Sequence, residues 1–144
     1  MQDTTHIFRA SLKPKLYREI EIESRRSLYD LAESIVGAFA FDFDHAFGFY
    51  SRLTGRHTDL PIKYELFADL DDCNSDARSV KRTRVAEAFP TIGATLLFLF
   101  DYGDGWQLKV ELIGLGEKAP RMRYPRLVAT VGKAPPQYPN LDDE

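Results

Sequence analysis

One cysteine in 144 residues, Cys73, excludes an internal disulfide, so a packed core has to hold the fold. No apolar run is long enough to cross a bilayer. The first eight residues carry neither the basic nor the apolar segment of a secretory leader. These absences predict a water-soluble protein of the reducing cytoplasm with no membrane partner. A cationic excess is lacking as well, because 19 Lys and Arg stand against 22 Asp and Glu, a formal net charge of -3. Sequence-independent binding to phosphate therefore requires a locally concentrated basic patch.

Motifs of catalysis and cofactor binding are also missing. There is no GxSxG elbow, no Cys/His signature, no Walker A loop, no Rossmann fingerprint and no DNA-reading helix pattern. One cysteine and three dispersed histidines offer no zinc-ligand spacing. The run Asp69, Asp71, Asp72, Asn74 and Asp76 clusters oxygens as a calcium loop does. It departs from the EF-hand template, with Asn74 at the sixth position and Val80 at the twelfth. A solvated acidic loop is expected there, and neither a metal nor a cofactor.

What is present is a globular composition, 44% hydrophobic and 12% aromatic. A chain of this length folding as one domain buries roughly 68–70% of its unfolded surface. Residues 7–12 and 16–23 read as two strands joined at Lys13, Pro14 and Lys15. In the second, Leu16, Ile20 and Ile22 alternate with Tyr17, Glu19, Glu21 and Glu23, which predicts one buried and one wet face. From Ser27 the period becomes helical, with Leu28, Leu31, Ala32, Ile35, Val36 and Phe39 behind a Ser27-to-Asp30 capping pattern, so 28–40 is the main helix.

Aromatic residues lead from there into a strand around 47–52, a loop over 54–60 and a short strand around Ile62, Tyr64 and Leu66. Residues 84–89 fit one helical turn stopped by Pro90. Two β-rich runs across 95–113 flank Gly103, Asp104 and Gly105, which is hairpin chemistry. A three-residue loop pairs Tyr102 with Trp106, Phe100 with Leu108 and Phe98 with Val110, and is preferred to a two-residue turn that sets Phe100 against Lys109. Residues 96–100, apolar on both faces, suit a central strand. The expected architecture is α+β: a mainly antiparallel sheet with one main helix packed on one face, a single domain over 1–134. A loose Pro-rich acidic tail follows over 135–144.

The segment FLFDYGDGWQLKVEL, residues 98–112, resembles the most characteristic stretch of the plasmid pRiA4b ORF-3-like family, an aromatic strand running into an (F/Y)DFGDxW turn. The strand over 13–22, the helix over 27–41 followed by Asp44-His45, and Tyr124-Pro125-Arg126 leading to Pro135-Pro136 follow the same order. The chain departs from the family at Phe47 and Leu108, where histidines are common, and at Val128, Gln137 and Tyr138, near its cysteines and acidic pair. The resemblance implies kinship with uncharacterised proteins named after open reading frames on plasmids and mobile elements.

Candidate site residues follow from both readings. Asp101, Tyr102, Asp104 and Trp106 gather at the hairpin tip, where turn chemistry explains them and a binding surface is the functional alternative. His45 stands in a resemblance-bearing position, while His6 lies at the amino end and His57 in a polar loop; Tyr124 and Arg126 join the binding set. Two basic clusters, Arg78, Lys81, Arg82 and Arg84, then Lys118, Arg121, Arg123 and Arg126, are candidates for phosphate contact. The leading expectation is a non-enzymatic binding or accessory module using sheet-edge aromatics toward a protein partner. The alternatives are a nucleic-acid-associated accessory protein and a small hydrolase using Asp101, Asp104 and His45.

Overall fold

The computed structural model describes residues 4–41, 47–50, 63–65, 78–100 and 106–134. Eight strands form one sheet in the order β5-β4-β3-β6-β7-β1-β2-β8. They are β1 (Thr4–Lys13), β2 (Leu16–Glu23), β3 (Phe47–Tyr50), β4 (Lys63–Glu65), β5 (Arg78–Ser79), β6 (Thr95–Phe100), β7 (Trp106–Glu117) and β8 (Arg126–Val131). Neighbours pair antiparallel except the short β4–β5 pair. Two short helices, α1 (Leu28–Ala38) and α2 (Val85–Ala88), complete the described elements.

This overturns the α+β expectation with one main helix. The chain is mainly β, and its six-strand block β3-β6-β7-β1-β2-β8 is antiparallel throughout. The extension of β7 to Glu117, the strand β5 and the edge strand β8 escape local pattern reading. Long-range ladders hold them, and their sequences lack strict alternation.

Other elements follow their local chemistry. Ser27 Oγ accepts the Asp30 N–H at 3.1 Å and starts α1, which ends two residues before the expected Ala40. At the other end Arg18, buried beneath the helix, donates to the carbonyls of Ala38, Tyr17 and Val131. One side chain thus ties together α1, β2 and β8. The α1 stripe of Leu28, Leu31, Ala32, Ile35 and Val36 packs into a core with Phe8, Ile20, Ile22, Phe98, Val110 and Leu112. Aromatic pairs concentrate where β3 meets β6, with Phe49 and Phe98 rings 4.9 Å apart. The far face of these strands holds a second cluster of Tyr50, Leu97 and Leu99, so β6 is central and buried on both sides as expected.

The β6–β7 register differs from both expected hairpins. Phe100 faces Trp106, Phe98 faces Leu108 and Leu96 faces Val110. The register is therefore offset by two residues from the preferred one, and residues 101–105 lie outside the described residues. Because the slip is an even number, the inward set is preserved. The expected loops over 54–60 and 69–76 and the tail over 135–144 lie outside the described residues.

Candidate functional site

The β2 alternation implies that Glu19, Glu21 and Glu23 share a wet face, yet Glu21 and Glu23 are buried. Partners from distant segments explain this. Glu21 Oε1 accepts from Arg126 Nε at 2.8 Å and lies 2.7 Å from its terminal guanidinium nitrogen, while Glu21 Oε2 accepts from the Thr5 hydroxyl at 2.5 Å. Glu23 Oε2 accepts from Lys118 Nζ at 3.2 Å and from Arg25 at 3.1 Å, and Arg26 approaches its other oxygen at 3.5 Å. Two interior carboxylates thus meet four cations. Such pairs fix geometry more than they add stability, because desolvation offsets most of the attraction.

Backbone shape permits the arrangement. A Cβ on Gly116 would meet Thr5 Oγ1 at 2.8 Å and Glu21 Oε2 at 3.1 Å, so glycine gives the Glu21 carboxylate its place over β7. Burial raises the Glu23 pKa, but the Lys118 hydrogen bond and the charges of Lys118, Arg25 and Arg26 prevail and hold it below the usual carboxylate range.

Beside this cluster runs a hydroxyl–imidazole chain. His6 Nδ1 lies 2.7 Å from Ser24 Oγ, and His6 Nε2 lies 3.3 Å from the Phe89 carbonyl oxygen. A carbonyl only accepts, so Nε2 carries the proton and Nδ1 accepts from Ser24, whose oxygen in turn accepts from Thr4 at 2.9 Å. Burial pushes the His6 pKa down, partly offset by the Phe89 carbonyl. Protons then bind the unfolded imidazole more tightly than the folded one. The His6 contribution is complete above the ordinary value of 6.5 and is lost as pH falls from there toward the lowered folded value. Thermal melts should show the melting temperature dropping between about pH 7 and pH 5, with a shallower drop in His6→Gln; parallel profiles would remove this role.

The surface over the two glutamates is built by residues 118–134, which contain five cations and no carboxylate. Lys118 and Arg126 turn inward to Glu23 and Glu21, whereas Arg121, Arg123 and Lys133 are exposed and make no ion pair among the described residues. A shallow depression of about 420 Å³ is lined by Lys118, Ala119, Pro120, Arg121 and Met122. Met122 within this segment, Leu127 and Val128 on β8, and Leu115 on β7 are large apolar side chains that stand exposed.

A family model for plasmid pRiA4b ORF-3-like proteins matches residues 6–138. The chain belongs to that family. No curated protein matches it. Among solved structures, the crystal structure of a protein of unknown function from Methanosarcina mazei Go1 superposes with a TM-score of 0.71 at 20% identity. That likeness covers 95% of this chain and 74% of the other, and it is one of fold.

Within this pRiA4b ORF-3-like chain the motif-bearing residues divide into three groups. Asp101, Tyr102, Asp104 and His45 lie outside the described residues. Trp106 packs against Phe41 with ring centroids 4.9 Å apart, and its buried Nε1 meets no acceptor among the described residues. Tyr124 and Arg126 are engaged internally, since the Tyr124 hydroxyl accepts the Ala119 N–H at 3.0 Å and Arg126 holds Glu21. Tyr102, one of the aromatics of the expected binding contact, is not among the described residues. Their exposed large hydrophobics are Ile92, Leu115, Met122, Leu127 and Val128.

The two basic clusters of the pRiA4b ORF-3-like sequence are linked by a third, at Arg25 and Arg26. Arg84 bridges to Ser27 and the Val85 N–H donates to the Arg26 carbonyl, which brings the β5–α2 turn beside the β2–α1 turn. Glu23 then joins Arg25 and Arg26 to Lys118. Lys81 sits 5.4 Å from the Tyr29 ring centroid, Lys81, Arg82 and Arg84 are exposed, and Arg78 is placed by its backbone in β5. Sequence reading missed Arg25, Arg26 and the buried glutamates. The signal was an i, i+2 pair of carboxylates next to two arginines, joined later by an acid-free run of five cations. Among the described residues no helix is long and apolar enough to cross a membrane, and no trio of His, Cys, Asp or Glu is arranged to hold a metal ion.

Proposed function

We propose that this protein is a non-enzymatic binding module whose contact surface is the β8 edge of its sheet. One observation carries the reading: Leu127 and Val128 stand 50% and 44% exposed on this terminal strand, which follows a segment holding exposed Met122 and two arginines, Arg121 and Arg123, with no ion pair among the described residues. Exposed aliphatic side chains grouped with cations mark a surface that gains by being covered. Buried Glu21 and Glu23 support the reading because they anchor that surface from behind through Arg126 and Lys118. The contact is thereby held in shape before a partner arrives, which reduces the ordering entropy of association.

The test is selection of a displayed random-peptide library on the folded protein and on its Leu127→Lys/Val128→Lys variant. Surface changes of this kind alter stability by only about 0.5 kcal/mol. Sequences should be enriched by the parent protein and not by the variant, with both melting alike. Equal enrichment by both would place the contact elsewhere and remove the proposal.

A further inference from the structure

We propose that β8 receives an extended peptide with acidic flanks, which joins the sheet as an additional strand. The inference rests on the β8 edge being the binding surface and adds the chemistry of what it binds. β8 ends the strand order and, among the described residues, ladders with β2 on one side alone. In an antiparallel pair alternate N–H and C=O groups point away from the partner, so β8 offers its outer groups to a further strand. Edge strands are ordinarily blunted by proline, lysine, an inward charge or a bulge. β8 carries two of these at its start, Arg126 turned in to Glu21 and a bulge at Val128, whereas residues 129–131, Ala-Thr-Val, carry none and ladder regularly. Exposed Leu127 and Val128, at the bulge, give an incoming strand apolar contact at that end.

Charge selects the occupant. Arg121, Arg123 and Lys133 flank the uncharged stretch 127–131 and have no ion pair among the described residues, and no carboxylate occurs between 118 and 134. A second copy pairing antiparallel through its own β8 would bring Arg126 of each molecule near Lys133 of the other, at both ends of the ladder. Like charges in opposed positions disfavour that dimer. A peptide with glutamate or aspartate at each end meets the same cations with opposite sign. A nucleic-acid strand would satisfy the cations but leave the outward amides and carbonyls of β8 without a matching ladder.

The probe is a fluorescein-labelled, acetylated peptide of alternating threonine and valine, four residues long, with two acidic residues at each end. Three relatives accompany it: one with lysines replacing the acids, and two N-methylated at alternate central amides. Only every second amide of an added strand faces β8, so one methylated isomer should lose at least about tenfold in affinity while the other stays within about twofold. The lysine peptide should bind at least about tenfold more weakly, and the parent complex should weaken as salt shortens the screening length. Amide exchange in β8 should slow with the parent peptide.

Strand addition is overturned if both methylated isomers bind like the parent, or if the lysine peptide binds equally well. It is also overturned if β8 protection rises with protein concentration alone, the mark of a second copy, or if a single-stranded oligonucleotide binds where the acidic peptide does not. Should library capture depend on Leu127 and Val128 while N-methylation is immaterial, strand addition fails and the binding-module reading stands. Should capture be indifferent to both, the two fail together.

Discussion

Replacing Phe98 by alanine should lower the free energy of unfolding by about 3–5 kcal/mol, the usual range for emptying a large aromatic site that cannot collapse. Phe98 is fully buried on β6, inside the antiparallel block. Its ring lies 4.9 Å from Phe49, 5.7 Å from Phe47 and 6.2 Å from Phe100, so truncation strips contacts from two strands at once. Urea titration is the measurement: the midpoint should fall while the slope stays constant, since the surface exposed on unfolding is unchanged. The paired control is Leu127→Ala on the edge strand, expected within about 0.5 kcal/mol of the parent. Equal losses at the two sites would mean that the stabilising core does not lie where β3 meets β6.

Gly132→Ala should be the most damaging change at the binding end. Gly132 has φ +85°, and a Cβ there would sit 2.6 Å from the Lys15 carbonyl oxygen and 3.0 Å from Leu16 Cα. The left-handed backbone disfavours alanine by about 1–2 kcal/mol. The clash is with backbone at the turn between β1 and β2, so relief requires that turn or the end of β8 to move, adding about 1–3 kcal/mol. Together these predict a loss of roughly 2–5 kcal/mol. Hydrogen exchange should show β8 amides losing protection before those of β6, because the strain falls where β8 leaves the sheet. Gly37→Ala supplies the contrast. A Cβ there meets nothing within 4 Å, and an exposed helical glycine replaced by alanine gains about 0.5–1 kcal/mol. If the two glycine variants shift stability in the same direction, the strain argument is wrong.

These outcomes bear on function because the same residues connect core and surface. Arg18 reaches from beneath α1 to the Val131 carbonyl, and Arg126 reaches from β8 to Glu21, so β8 is tied down at both ends. Among the described residues its middle is laddered on one side. A terminal strand fixed at its ends and laddered on one side is suited to receiving a further strand.

Several features could be read from the residues alone. The Pro14 turn between β1 and β2, the Ser27 cap of α1, the single turn of α2 and the inward faces of β6 and β7 all follow from interactions spanning a few positions. Local chemistry of that kind is written in local sequence. The resemblance of residues 98–112 likewise pointed to the family that the match over 6–138 establishes.

Tertiary structure decided what depends on distant partners. Glu21 and Glu23 looked wet by alternation; Arg126 and Lys118, about a hundred positions away in the chain, made them interior. β8 became a strand because β2 offers it a ladder, which moved the balance from a sheet with one main helix to a mainly β protein. The basic clusters met through Arg25 and Arg26 only once α2 was docked beside the β2–α1 turn. Pairing across the sheet sets burial and charge proximity, and a linear pattern records only which side chains can take part.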